Sequence, residues 1–195
     1  MIGGLVLAAG AATRFGAPKQ LALLRGRPLL EHVLETVAAA PLDRRVVVLG
    51  AEAERVERDV PLHGVRPVRC TGWAEGQSAS LRAGLVALAG VEAVVVVLGD
   101  QPLLAAEALA RLVGARSPLA DALRADYGDG RPGHPVLLEA RTFERLAGLR
   151  GDLGARELLR GLRVQAVDCA GLGRPDDVDI PEHLEVLQHE ARAVV

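Results

Sequence analysis

The sequence has few cysteines, no asparagine and no long hydrophobic run. Its two cysteines, Cys70 and Cys169, lie far apart and form no CxxC pattern, which excludes a disulfide scaffold and argues against a zinc site or a redox pair. No run approaches the roughly 20 apolar residues of a membrane helix. Because no charged leader precedes the strand-like segment at Ile2, we expect a cytoplasmic protein with reduced thiols and no membrane contact.

Neither sign of charge is in excess. The 195 residues include 23 basic and 25 acidic side chains, which gives a net charge of −2 at pH 7. The basic residues are scattered along the chain, and this distribution argues against a nucleic-acid partner. A chain of this length with 50% hydrophobic residues can bury a sizeable core without disulfides or metals. We expect one domain that spans residues 1–195.

A strong composition bias makes the rare residues informative. Arginine fills 22 of the 23 basic positions, and Lys19 is the only lysine. Trp73 is the only tryptophan, and two of the three serines, Ser78 and Ser80, follow it closely. Because the bias toward Arg, Ala, Leu, Gly and Val indicates mutational pressure, a residue that departs from it is a candidate for a chemical role.

Short apolar runs alternate with helical patterns along most of the chain. The run at 93–98 shows no polar alternation, which is typical of a parallel strand covered on both faces. The runs at 122–127 and 135–139 flank a segment rich in Gly and Pro, which predicts an antiparallel excursion. The alternation as a whole predicts a three-layer α/β domain with a mostly parallel sheet. The other predicted strands are 2–9, 46–49, 65–69 and 164–169, and the predicted helices are 28–40, 51–59, one containing 81–88, 142–149, 155–162 and one that begins at Pro181.

The loop after the first strand has the composition of an anion site. In α/β folds ligands bind at the carboxyl ends of the strands. Small residues at 8–12 let backbone N–H groups approach an anion, and Arg14 and Lys19 can neutralise phosphate oxygens. The loop is not a Walker loop, and Ala12 and Phe15 stand where the dinucleotide fingerprint has glycines. An ordinary glycine-containing turn is the alternative, but the solitary Lys19 favours an anion site.

Two carboxylates are candidates for a metal site. Asp100 directly follows the most apolar strand, where a carboxylate serves no packing purpose and can bridge a hard cation to phosphates. A helix N-cap or a turn is the alternative for this residue. Asp179 belongs to an acidic cluster before the last helix, for which solvated capping is the simpler explanation. Two carboxylates from distant loops on one metal would suit phosphoryl chemistry.

Two further segments carry polar residues of uncommon type. Within 71–80, Gln77, Ser78 and Ser80 can donate to a phosphate or a ring at a helix N-terminus, and Gly76 allows close approach. Helix capping by Ser78 is the alternative. His134 lies between a glycine and a proline, where it is either a base or a turn residue.

These segments, in this order, resemble those of the molybdenum cofactor cytidylyltransferases. That family lies within a wider group of nucleotidyltransferases that includes the guanylyltransferase of the same cofactor. The segments at 7–19 and 99–102 belong to the wider group, whereas Trp-Ala-Glu-Gly-x-Ser, Gly-His-Pro and Gly-Asp-x-Gly-Ala-Arg resemble the cytidylyl branch. The matching segments are 7–19, 73–85, 99–102, 133–137, 151–156 and 178–182.

The resemblance implies a Rossmann-like nucleotidyltransferase fold. It also implies transfer of CMP from CTP to the terminal phosphate of a molybdenum-bearing molybdopterin, with Mg²⁺ and release of pyrophosphate. A molybdoenzyme or its chaperone is then an expected transient partner. By position, the resemblance implies that the nucleotide is bound by Leu7, Ala8, Ala9, Gly10, Ala11, Ala12, Arg14 and Lys19. It implies that the catalytic residues are Arg14, Lys19 and Asp100 and that the metal ligands are Asp100 and Asp179. The residues toward the pterin would be Trp73, Gly76, Gln77, Ser78, Ser80 and His134.

Some positions depart from the family pattern. Ala12 replaces a frequent Ser, Phe15 a frequent Met, and Ile180 and His183 a frequent Thr and Asp. Only the last change removes a charge, and it lies outside the expected metal pair. We therefore expect an active enzyme that has lost one hydroxyl donor, at Ala12.

Three alternatives remain at this point: another nucleotidyltransferase that transfers GMP or acts on a sugar or alcohol phosphate, a Rossmann-type oxidoreductase, and a silent nucleotide-binding module. Guanylyl members tend to have Gly before the final Gly of the first loop, whereas this chain has Ala9 before Gly10. A Rossmann-type oxidoreductase would need GxGxxG after the first strand and an acid ending the second, which here ends Leu49-Gly50. Lys19, Asp100 and Asp179 together argue against a silent nucleotide-binding module.

Overall fold

The computed structural model describes residues 1–128, 133–151 and 159–192. A seven-stranded sheet has the order β5-β4-β1-β6-β8-β7-β9, and β2 and β3 form a separate two-stranded sheet. The strands are β1 (Ile2–Ala8), β2 (Leu23–Leu24), β3 (Arg27–Pro28), β4 (Arg44–Leu49), β5 (Arg66–Arg69), β6 (Ala93–Leu98), β7 (Ala122–Asp126), β8 (Val136–Glu139) and β9 (Val164–Asp168). The helices are α1 (Leu29–Ala39), α2 (Ala53–Asp59), α3 (Gln77–Ala87), α4 (Ala106–Gly114), α5 (Phe143–Ala147) and α6 (Pro181–Arg192).

Both faces of the sheet are covered, as the apolar run in β6 predicted. Val95 and Val97 join a buried cluster with residues of α1, α2 and α4, whereas Val94 and Val96 join a second cluster with residues of α3. Successive residues of a strand point to opposite faces, so a run of valines fills both clusters. The predicted three-layer α/β architecture is confirmed.

The antiparallel excursion is one reversed strand. β8 runs antiparallel to both of its neighbours, β6 and β7, and every other pairing in the large sheet is parallel. Val96 of β6 pairs with Val136 of β8. Because β8 runs backwards, the residues that precede it, His134 and Pro135, lie at the edge where β6 ends.

The sequence patterns missed two elements. Helix α4 was not predicted, nor was the β2–β3 hairpin, whose two-residue loop has Arg25 at φ 53° and Gly26 at φ 76°. Two positive φ values are typical of a type I′ turn, but Arg is not a residue that signals one. The predicted helix at 155–162 and the motif at 151–156 lie largely outside the described residues. No described helix is long and apolar enough to cross a membrane.

Candidate active site

The parallel strands bring three loops to one level. Leu7 of β1 pairs with Val48 of β4 and with Leu98 of β6. The loops that follow these strands therefore begin side by side at the carboxyl edge of the sheet. This is the position where α/β folds bind ligands.

A buried glutamine holds the loop after β1 in place. The side-chain amide of Gln20 donates hydrogen bonds to the carbonyl oxygens of Ala8 at 3.0 Å and Gly10 at 2.9 Å. Gln20 lies in the 3-10 turn Lys19–Leu21, directly after Lys19. The backbone of the anion loop is therefore fixed without any contribution from a ligand. Sequence reasoning missed Gln20, because a single Gln beside a charged residue carries no distinguishing pattern.

Gly50 makes room for the contact between this loop and Trp73. A Cβ atom at Gly50 would lie 2.3 Å from the carbonyl oxygen of Ala9 and 2.7 Å from the Cβ of Trp73. Only glycine therefore fits after β4. Trp73 packs against the buried cluster that contains Ala9, so the indole forms a wall beside the loop.

These elements enclose a first cavity of about 400 Å³. Most of the predicted nucleotide residues line it, and so do most residues of the Trp73 segment. The predicted site residues that line the first cavity are Leu7, Ala8, Ala9, Gly10, Ala11, Lys19, Trp73, Gly76, Gln77, Ser80 and Asp100.

Five predicted site residues do not line the first cavity: Ala12, Arg14, Ser78, His134 and Asp179. Ala12 lies at φ 53° in a turn that Phe15 and Gly16 close by donating to its carbonyl oxygen. Arg14 has a side chain that is 78% exposed. Ser78 is fully buried inside α3 and accepts a hydrogen bond from Arg82 at 3.2 Å, so the capping alternative is wrong: the N-cap of α3 is Gly76.

Lys19 joins the two predicted metal ligands. Its ammonium lies 2.5 Å from Oδ2 of Asp100 and 3.3 Å from Oδ1 of Asp179. The side chains of Lys19 and Asp100 are 17% and 19% exposed, and that of Asp179 is 36% exposed. Arg14 approaches the same carboxylate, with its Nη1 3.5 Å from Oδ2 of Asp179. The structure thus gathers four of the predicted charged residues around one point.

A second buried glutamine explains how Asp179 reaches this point. The side-chain amide of Gln101 donates to the carbonyl oxygen of Pro175 at 3.1 Å and to Oδ1 of Asp177 at 2.8 Å. The backbone N–H of Val178 donates to the carbonyl oxygen of Asp100 at 2.9 Å. The segment before α6 is therefore tied to the loop after β6. Gln101 was also missed by sequence reasoning, although its position next to Asp100 was a usable signal.

A second cavity of about 880 Å³ lies beyond Asp179. Tyr127, His134, Asp177 and Asp179 line it. Burial lowers the pKa of His134 to about 4, against a smaller opposing effect of Asp100, so the imidazole is neutral at pH 7. Burial and the charge of Asp100 raise the pKa of Asp177. His134 therefore lies apart from the Trp73 segment, with which the sequence grouped it.

The carboxylate pair has the donor chemistry of a hard cation site. Oδ1 of Asp100 is buried and has no hydrogen-bond partner among the described residues. Oxygen ligands are those that Mg²⁺ and Mn²⁺ prefer, and Mg²⁺ is usually held by one or two carboxylates together with substrate phosphates. Residues 1–128, 133–151 and 159–192 contain no cluster of three or more His, Cys, Asp or Glu placed to hold a metal, so substrate and water would supply the other ligands.

The fold and the site define a nucleotidyltransferase: a small-residue loop at the carboxyl edge of a parallel sheet lines a cavity together with Lys19 and Asp100, and Lys19 also contacts Asp179. Residues 4–167 match the family described as MobA-like NTP transferase domain, and the chain belongs to that family. The resemblance inferred from the motifs is confirmed at this level.

Known relatives match almost the whole chain. Nicotine blue oxidoreductase of Paenarthrobacter nicotinovorans is 34% identical over 190 residues, 93% of each protein. A crystal structure of a homologue of Mycobacterium tuberculosis Rv0371c, from Mycobacterium sp. strain JC1, superimposes with a TM-score of 0.87 at 32% identity and covers 100% of this chain and 98% of that one. The structure of M. tuberculosis Rv0371c in complex with manganese gives a TM-score of 0.81 at 31% identity, over 96% and 98% of the two chains.

Proposed function

We propose that this protein transfers CMP from CTP to the terminal phosphate of molybdenum-bearing molybdopterin and releases pyrophosphate, with Mg²⁺ held by Asp100 and Asp179. The observation that carries the proposal is the contact of Lys19 with both carboxylates at the boundary between two cavities. The proposal includes a cytoplasmic enzyme that hands its product to a molybdoenzyme or its chaperone in a transient contact.

The triphosphate is assigned to the first cavity. Gln20 donates to the carbonyl oxygens of Ala8 and Gly10 and so holds the loop at 8–11, with its backbone N–H groups, in a shape that does not depend on ligand. Such a preorganised loop binds phosphate oxygens without an ordering cost. Lys19 lines the cavity and supplies a compact positive charge, and Arg14 at the exposed rim supplies a second one.

The reaction needs alignment and charge neutralisation rather than a base. A phosphate monoester dianion is already nucleophilic, so its oxygen attacks the α-phosphorus, and the bond to the β-phosphate oxygen breaks to release pyrophosphate. Lys19 and Arg14 neutralise charge on the transferred and leaving groups. Because His134 is neutral at pH 7 and no proton needs to be removed, His134 is assigned to acceptor binding.

A divalent cation fits the site, because the buried Oδ1 of Asp100 has no hydrogen-bond partner among the residues described here. Asp100 and Asp179 would hold it. When bound, it would supply Lewis-acid neutralisation of phosphate oxygens. The manganese complex of the M. tuberculosis relative supports the use of a divalent cation.

Preference for CTP over GTP is assigned to Ala9. Its methyl group is buried in the cluster against which Trp73 packs. Gly50 packs closely against the loop, because a Cβ atom at Gly50 would lie 2.3 Å from the carbonyl oxygen of Ala9. A methyl group at this place narrows the space for a purine. It discriminates by steric exclusion and only modestly.

The acceptor is assigned to the second cavity. Its volume of about 880 Å³ is in the range of cavities that hold fused heterocycles. Tyr127 and Gln101 each place a buried polar atom there that has no hydrogen-bond partner among the described residues. Trp73, Gly76, Gln77 and Ser80 line the other cavity, so they would meet the acceptor where its phosphate enters.

The test is a nucleotide screen. Purified protein is mixed with Mg²⁺, molybdenum-loaded molybdopterin and each of CTP, GTP, ATP and UTP in turn, and pyrophosphate release and product mass are followed. We expect release with CTP, a smaller rate with GTP and none without acceptor. Equal rates with CTP and GTP would remove the cytidylyl assignment, and no release with any nucleotide would overturn the transferase proposal.

One observation favours a second candidate, an oxidoreductase activity: the relative from P. nicotinovorans carries that name. Against it, Ala12 and Phe15 replace fingerprint glycines, and β4 does not end in an acid, since it ends at Leu49 before Gly50. A dinucleotide reductase of the Rossmann type uses both features. Oxidation of NADH or NADPH with a quinone acceptor, measured on the same preparation, would decide between the two.

A further inference from the structure

The ammonium of Lys19 occupies the position between the two carboxylates that would hold a cation. It lies 2.5 Å from Asp100 and 3.3 Å from Asp179, and its side chain is only 17% exposed. Two carboxylates this close to one another repel unless a positive charge lies between them. In the protein alone, that charge is supplied by Lys19.

A divalent cation and this ammonium exclude one another. Mg²⁺ binds carboxylate oxygens at about 2.0 to 2.1 Å, so a cation shared by Asp100 and Asp179 would come against Nζ of Lys19 in its present position. Like charges at such a distance, in a partly buried site, repel strongly. A cation shared by Oδ2 of Asp100 and Oδ1 of Asp179, the two oxygens that Lys19 contacts, can therefore enter only when the ammonium has moved.

The lysine can move without disturbing its backbone. The turn that carries it is held by the hydrogen bonds of Leu21 to Pro18 at 3.0 Å and of Ala22 to Lys19 at 3.1 Å, and by the two bonds of Gln20. Its side chain is a flexible four-carbon stem that lines the first cavity. Phosphate oxygens in that cavity would offer the ammonium a second set of anionic partners.

We propose that Lys19 is a resident counter-ion which keeps divalent cations out until a nucleotide arrives. The phosphates of the nucleotide draw the ammonium from the carboxylates, and the vacated carboxylates take the cation. Nucleotide and cation therefore bind with positive coupling, and by linkage each raises the affinity of the other by the same factor. This inference rests on the proposed metal role of Asp100 and Asp179, and it adds an order of binding.

Binding of Mn²⁺ alone, without nucleotide, tests the proposal. The free ion is measured by electron paramagnetic resonance during titration of the protein and of its Lys19→Met variant. Methionine keeps the apolar length of the side chain and removes the charge. We expect the variant to bind Mn²⁺ at least about tenfold more tightly than the parent, within the usual range of coupling between sites.

Arg14→Gln is the matched control, because it also removes a positive charge near Asp179 but not from between the carboxylates. We expect it to change Mn²⁺ affinity by less than about threefold, as for an exposed charge. A double variant, Lys19→Met with Asp179→Asn, should lose the increase in Mn²⁺ affinity, because it lacks one of the two carboxylates.

Equal Mn²⁺ affinity in the parent and in Lys19→Met would overturn the inference, and so would an equal gain in Arg14→Gln. If Lys19→Met does not fold, Lys19→Gln replaces it, with thermal denaturation as the check on folding. The proposed function is tested separately by pyrophosphate release. A tighter Mn²⁺ site in Lys19→Met together with no nucleotide transfer by the parent protein would reject that function and keep this inference.

Discussion

The two halves of the sheet build their cavities in different ways. In the parallel half, β5-β4-β1-β6, the site residues Gly10 and Asp100 come directly after strands. In the mixed half, β8-β7-β9, the strand next to β6 is reversed, so His134 comes before its strand. Strand direction therefore decides whether a site residue precedes or follows its strand in the sequence.

The cavities differ in charge as well. The first cavity combines backbone N–H groups with Lys19, which suits a polyanion. Among the described residues, the second cavity is lined by several carboxylates, including Asp176, Asp177 and Glu190, and by one arginine, Arg174, whose guanidinium pairs with Asp176 and Glu190. Such a lining disfavours a polyphosphate and suits a heterocycle with N–H donors. The contact between Lys19 and the carboxylates marks the boundary between these environments.

The largest effect is expected where this boundary is broken. Asp100→Ala and Asp179→Ala should each lower CMP transfer by about a hundredfold or more, because each removes a ligand and a charge that the reacting phosphates need. Melting temperature should change little, since both side chains lie at a cavity and leave no core void. Asp59→Ala is the control, because Asp59 pairs with Arg58 on the surface of α2 and lines neither cavity. Near-normal turnover of Asp179→Ala at limiting Mg²⁺ would contradict the metal assignment.

Lys19→Arg tests whether the first cavity needs a lysine or only a charge. Arginine fills 22 of 23 basic positions in this chain, so a position that keeps lysine has a reason to do so. A planar guanidinium needs more room than the confined ammonium has, and we expect kcat/KM for CTP to fall by about a hundredfold with an unchanged melting temperature. Arg14→Lys, at the exposed rim, should fall far less. A Lys19→Arg variant that keeps most of the parent kcat/KM would show that charge alone matters.

The two buried glutamines allow separate tests of the two cavities. Gln20 holds the loop after β1, at the first cavity, and Gln101 holds the segment before α6, at the second. Gln101→Leu should raise the Mg²⁺ concentration for half-maximal activity by about tenfold, as expected for a residue that orients a metal ligand. Gln20→Leu should instead raise KM for CTP, because it releases the loop at Ala8 and Gly10. Steady-state rates at varied Mg²⁺ and varied CTP separate the two effects. Identical shifts in both variants would mean that the cavities do not act separately.

A smaller effect is expected on the selection of the nucleobase of the nucleotide. Ala9→Gly should relax the preference for CTP over GTP by on the order of 1 to 3 kcal/mol without inverting it, since one methyl group contributes no more than that to steric discrimination. Initial rates with both nucleotides in competition measure the change. An unaltered ratio of CTP to GTP use would move the discrimination to another residue.

The smallest effect on turnover is expected at His134 in the second cavity. The pKa of its imidazole in the folded protein, about 4, lies below its usual value of about 6.5, so the unfolded chain binds more protons between these pH values. The folded state therefore loses stability as pH falls from 6.5 toward 4.

His134→Gln should remove about 1 to 2 kcal/mol of the stability difference between pH 7 and pH 5. It should leave the pH dependence of turnover between pH 6 and 8 unchanged. Denaturant titrations at both pH values measure the first quantity. A variant with the parent's pH dependence of stability would contradict the lowered pKa.

Local sequence signals were sufficient for most strands and helices of the large sheet, although not for α4, and for the charged residues of the site. The valine run of β6 and the loop after β1 follow from apolar runs and small residues, and Lys19 and Asp100 follow from rarity and placement. These signals depend on neighbours in the chain, which is why they are readable without a structure.

The supporting contacts could not be predicted in the same way. The hydrogen bonds of Gln20 and Gln101 reach backbone oxygens that no side-chain pattern marks. The hairpin turn at Arg25 adopts a positive φ that its residue type does not signal. Ser78 has the type of a capping residue, yet it lies inside α3, because Gly76 already begins the helix.

The contacts of Lys19 also make the active site depend on the folding of distant parts of the chain. They join positions 81 and 160 residues apart in the chain, and the later one is carried by the segment just before the last helix. Contacts of such long sequence separation carry a loop-closure cost, and they need the segments around Lys19, Asp100 and Asp179 to be in place together. No local unit can acquire the chemistry by itself. The active site is therefore complete only when the segments that carry Lys19, Asp100 and Asp179 have folded together.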